Sequence, residues 1–175
     1  MKLFQRLICM IAALILTASA LVSCTPDLEA PDGMQAASLE GVEYALYVPE
    51  SWVVNKNSGV SGAYVSAYDK SNVTLISYIP NTAMTAEQYW TVCEESYKTE
   101  FDNYAFVESG SVTMAGLPAP YYVYTATIGG DDYKFLQAIV GSNGIFYNLT
   151  YTATSEFYDA HIEEVMSIIE AFTFR

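Results

Sequence analysis

Basic side chains, histidine and cysteine are all scarce in this chain: its 175 residues include seven lysines and arginines, one histidine and three cysteines. Seven bases against 20 acids give a net charge of −13, which repels nucleic-acid phosphates and anionic lipid headgroups and argues against both as direct ligands. No G-x-S-x-G, H-E-x-x-H or glycine-rich phosphate loop is present, so no familiar catalytic motif and no cofactor is indicated. Long apolar runs are missing too. The longest, Leu7 to Val22, has 16 residues, whereas a spanning helix needs roughly 20. What the chain does have is apolar bulk: 52% hydrophobic and 14% aromatic residues suffice for a core and exclude a disordered tail.

The N-terminus has the parts of a secretory signal. Lys2 and Arg6 supply a positive start, Leu7 to Leu16 (LICMIAALIL) an apolar run, and Ser19-Ala20 lead into Leu21-Val22-Ser23-Cys24. "LVSC" resembles the lipobox of bacterial lipoproteins, in which the cysteine is acylated on sulfur and becomes the first residue after cleavage. That resemblance implies a signal peptide over 1–23, lipid attachment at Cys24, and a protein anchored to the cell membrane outside the bacterial cytoplasm. Two acyl chains are enough for stable anchoring where one is not. A plain signal peptide with an incidental cysteine is the alternative. Removing Lys2 and Arg6 with the leader leaves five bases against 20 acids, a net charge of −15. Cys9 leaves as well, so Cys93 stands without a disulfide partner and the domain must hold together through its core.

Residues 24–40 carry Pro26, Pro31, Gly33 and four acids with little periodicity, and read as an acidic flexible tether. A single domain is expected over 41–175. "GVEYALYV" puts Val42, Tyr44, Leu46 and Val48 on one face of a strand, and "GAYVSAY" and "VTLISYI" form a hairpin across Asp69-Lys70-Ser71-Asn72. Thr85 with Gln88 is a capping box, and Tyr89, Cys93, Tyr97 and Phe101 recur as the apolar stripe of a helix. Four strands near 105–114, 119–128, 133–140 and 145–152 follow as an antiparallel meander, because their connections are too short for parallel crossovers. A second helix is expected from Thr154 or Ser155, with Ile162, Val165, Met166, Ile169 and Phe172 as its stripe, and "FTFR" as a short edge strand. The fold class is therefore α+β, a mostly antiparallel sheet flanked by two amphipathic helices.

"YALYVPESW", "AGLPAPYYVYT" and "IEEVMSIIEAFTFR" resemble the PsbP-like fold over roughly residues 41–175. That sandwich is shared by a photosystem extrinsic protein, a nuclear-import factor that binds the GTPase Ran, and bacterial lipoproteins of the DcrB type. These work mainly as binding or assembly factors without a common catalytic residue set. The resemblance thus implies a non-catalytic module with a protein or small-ligand partner.

Individual residues point the same way. His161, beside Asp159, Glu163 and Glu164, reads as a solvated helix histidine, and Cys93 as a buried inert thiol. Paired acids lack the alternating ligands and glycine of a calcium loop, so no metal site is expected. The candidate binding aromatics are Trp52, Trp90, Tyr121, Tyr122 and Tyr124, with core packing as their competing role. The other functional class is an envelope enzyme of hydrolase type with no recognisable motif. A pocket distinguishes the two: convergent polar groups with His161 or Cys93 inside it favour an enzyme, and a shallow aromatic groove favours binding.

Overall fold

The computed structural model describes residues 29–55 and 59–175; the leader, Cys24 and the start of the tether lie outside the described residues. Eleven strands and two α-helices are described, and their central feature is a seven-stranded antiparallel sheet. Its order is β4 (Val53–Val54), β5 (Ser61–Tyr64), β6 (Asn72–Tyr78), β10 (Ile145–Thr154), β9 (Asp131–Ser142), β8 (Leu117–Ile128) and β7 (Asp102–Met114). The last four strands in sequence form the expected meander. Its turns are built where glycine and asparagine take positive φ, as at Asn143 (51°) and Gly144 (78°). α1 (Ala86–Glu100) links β6 to the meander and opens on the full capping box: the Gln88 N–H donates to the Thr85 hydroxyl, and the Thr85 N–H donates to the Gln88 side chain.

Side-chain alternation places the two helices on opposite faces of the sheet. Leu136, Ala138 and Val140 of β9, with Leu149 and Tyr151 of β10, pack with Val165, Ile168 and Ile169 of α2 (Ile162–Ala171). The intervening Phe135 and Ile139, with Phe146, face the other way and pack with Tyr89 and Trp90 of α1. The α2 layer mixes aliphatic side chains with buried rings, among them Tyr44, Trp52, Tyr151 and Phe172. The α1 layer is aromatic, held by stacks such as Trp90 on Tyr122, 4.2 Å apart and 3° from parallel.

Three expectations need correction. The single strand expected from Val42 to Val48 is two short ones: β2 (Tyr44–Ala45) pairs with β11 (Thr173–Phe174), and β3 (Tyr47–Pro49) pairs with β1 (Met34–Ala36). Covered from both sides, all of Tyr44 to Val48 is buried, so the segment does not alternate. Order also begins before Gly41. Ala37 is buried, its N–H donates to the Leu46 carbonyl and its carbonyl accepts from the Gly62 N–H, contacts that hydropathy does not signal. The second helix starts late: a 3-10 turn (Tyr158–Ala160) precedes α2, and Tyr158 is a core residue.

Candidate functional site

Four of the five candidate aromatics are core residues. Trp52, Trp90, Tyr122 and Tyr124 are buried, with Trp52 in the α2-side core and the other three beneath α1. Tyr121 lies partly buried across the cross-strand Gly110, where a Cβ would come within 2.5 Å of its ring. Rings of this size contribute most when removed from water, and Trp90, Tyr122 and Tyr124 hold α1 to the sheet.

His161 is likewise not a solvated helix histidine. It is the residue preceding α2, and both its ring nitrogens are occupied: Nε2 lies 2.7 Å from Asp69 Oδ2 and Nδ1 lies 2.8 Å from Glu164 Oε2. The Trp52 indole N–H also donates to Glu164, and its ring meets the imidazole edge-on at 6.0 Å. Asp69 sits in the β5–β6 turn, where its carboxylate accepts the Ser71 N–H. This contact therefore ties that hairpin to the start of α2 across 92 residues of sequence. Burial alone lowers the imidazole pKa, but the hydrogen bonds and charges of Glu164 and Asp69 outweigh it and raise the net value. Burial pushes the Asp69 carboxyl up, and the hydrogen bonds from Ser71 and His161 bring it below its ordinary value. With both ring nitrogens engaged by carboxylates, the imidazole has no open position toward a substrate. Cys93 is half-covered on the inner side of α1, and burial pushes its thiol pKa up, away from the reactive thiolate.

A concavity does exist, on the α1-side face of the sheet at its β5–β6 end. Tyr64 and Gly62 of β5, Asn72 and Thr74 of β6, and Ser66, Ala67 and Lys70 of the connecting turn line a cleft of about 520 Å³, completed by residues including Val60 and Val73. Gly62 is required in its floor: a Cβ there would come within 2.3 Å of the Val73 carbonyl oxygen, inside the hairpin itself. The exposed side chains of Ile76 and Tyr78 continue the same face of β6. The cleft contains neither His161 nor Cys93. None of its lining residues stood out in sequence except as turn and strand formers, since the cleft arises from β5 and β6 lying side by side. Among the described residues no helix is long and apolar enough to cross a membrane.

No family model and no curated protein sequence matches the chain. Solved structures do. PsbP (CyanoP) from the cyanobacterium Synechocystis superposes with a TM-score of 0.57 at 13% identity, covering 89% of this chain and 99% of its own. LpqN of Mycobacterium tuberculosis, described as involved in cell envelope biogenesis, gives 0.55 at 14% identity over 74% of this chain and 82% of its own. The Saccharomyces cerevisiae Ran-binding protein Mog1p gives 0.56 at 7% identity over 81% and 95%. The chain has the PsbP-like fold, an α+β arrangement of two helices and a large antiparallel sheet.

Proposed function

We propose that this protein is a non-catalytic binding or assembly module, carried outside the cytoplasm on a lipid anchor at Cys24, whose recognition site is the cleft on the open face of the sheet. The observation that carries the reading is the content of that cleft: an aromatic ring, amides, hydroxyls and a lysine converge there without the histidine or the thiol. The one histidine of the sequence has both ring nitrogens engaged by carboxylates, which disfavours it as the base of a nucleophile-and-base mechanism. That Mog1p, of the same fold, is a Ran-binding protein supports the same reading by analogy of fold. The anchor rests on the "LVSC" stretch.

Two variants test this on native membranes. Cys24→Ser is expected to release the protein from the membrane fraction, and retention as a lipid-labelled species refutes the anchor. Thr74→Trp, which fills the cleft, is expected to abolish cross-links that the wild type forms, whereas His161→Gln is expected to preserve them. Undiminished cross-linking by Thr74→Trp refutes the cleft as the recognition site. Loss of phenotype in a folded His161→Gln protein that still cross-links refutes the non-catalytic reading.

A further inference from the structure

We propose that the cleft takes a small organic carboxylate with an apolar body, its acid group held by Lys70. This rests on the cleft being the recognition site.

The argument begins with charge. The chain carries 20 acids against seven bases, yet among the described residues no acid lines this cleft and its single charged residue is Lys70. Two other concavities show the contrast: one beside Thr127 includes Asp132, and one beside Met166 includes Glu170. Lys98 is ion-paired to Glu94 and Glu95, and Lys134 to Asp159, whereas Lys70 makes no ion pair among the described residues. Its neighbour Asp69 is an obvious internal counter-ion, but that carboxylate is taken by the Ser71 N–H and by His161. The tie to His161 thus leaves the lysine uncompensated at the rim. An unpaired cation beside an acid-free concavity, in a protein this negative, is complementary to an anion.

The body of the ligand follows from the walls. Val60 and the Tyr64 ring supply apolar contact above the floor at Gly62. Asn72 and Thr74 offer hydrogen bonds along the same face. A volume of about 520 Å³ accommodates a bicyclic ring system or a short branched chain, within the usual range of small-molecule sites. One cation matches one carboxylate.

Fluorine NMR with a fluorinated 2-naphthylacetate and its neutral amide tests this, using the full chain in non-ionic detergent and empty micelles as the blank. The acid is expected to bind saturably at one site, about fivefold more tightly than the amide, the contribution of one partly exposed ion pair. Lys70→Gln is expected to bring the acid down to the affinity of the amide and leave the amide unchanged, while Thr74→Trp removes binding of both. Competition by hexanoate or by phenylacetate tells an aliphatic from an aromatic preference, and either result supports the proposal. Equal binding of acid and amide, or an acid advantage that survives Lys70→Gln, overturns the carboxylate proposal and leaves the cleft reading standing. Binding of neither probe, or binding indifferent to Thr74→Trp, overturns the cleft reading with it.

Discussion

Replacing His161 with alanine cuts the contact between the β5–β6 hairpin and α2, and the size and pH dependence of the penalty follow from its geometry. The contact to Asp69 is 2.7 Å long, between side chains only 17% and 16% exposed. A charge-assisted hydrogen bond in such a setting contributes about 1.5–3 kcal/mol. The contact to Glu164 is 2.8 Å, but that carboxylate is 40% exposed, so solvent screening reduces it to about 0.3–0.5 kcal/mol. His161→Ala is therefore expected to cost about 2–3 kcal/mol, or roughly 5–10 °C in Tm for a domain of this size. The imidazole pKa is raised above its ordinary 6.5 by the folded environment. Its contribution is fully present below about pH 6.5 and is lost as pH rises through the raised folded value. Asp69 is shifted below its ordinary 3.8, so its contribution is present above about pH 4 and is lost as pH falls through the lowered value. The penalty for His161→Ala should thus be largest between about pH 4.5 and 6.5. It should shrink to about 1 kcal/mol by pH 9, where a neutral ring still donates one N–H. Urea unfolding of wild type and variant at pH 5.5 and pH 9 reads the difference, which cancels the titration of the many surface acids. A penalty that is equal at the two pH values, or larger at pH 9, refutes the charged contact.

Substitutions at three further sites test the α1 layer and its cap against an exposed control. Trp90→Ala, which removes the ring stacked on Tyr122, is expected to cost about 3–5 kcal/mol in urea unfolding. Tyr68→Ala, at a turn residue that is 98% exposed, should stay within about 0.5 kcal/mol, and similar costs at the two sites contradict the aromatic α1 layer. Thr85→Ala is expected to cost about 1 kcal/mol and to speed amide exchange in the first turn of α1, while Thr85→Ser restores both; unchanged exchange in the alanine variant rules out a working capping box.

Local chemistry was legible in this chain wherever neighbours in sequence decide it. The β7 to β10 meander follows from short glycine-rich and asparagine-rich turns that permit only antiparallel pairing, and α1 from a cap and a stripe contained within one segment. "FTFR" pairs as a short strand as expected, although its partner, β2, lies more than 120 residues away. The proposed leader and anchor at Cys24 rest on linear composition alone, which a peptidase and an acyltransferase would read before any fold exists. Tertiary structure decided the rest. Sequence shows that Trp90 and Tyr122 are large and amphipathic; only the packing of α1 on the sheet turns them from candidate contacts into core. The acids beside His161 in sequence suggested a solvated face, yet one of its two partners is Asp69, which only the approach of the hairpin to α2 supplies. That approach also leaves Lys70 without its adjacent counter-ion, at the edge of a cleft formed by two paired strands and the turn between them. Hydropathy and spacing report which residues seek burial and at what period. Which side chains finally meet depends on how the sheet and helices pack, and the candidate site is made of such meetings.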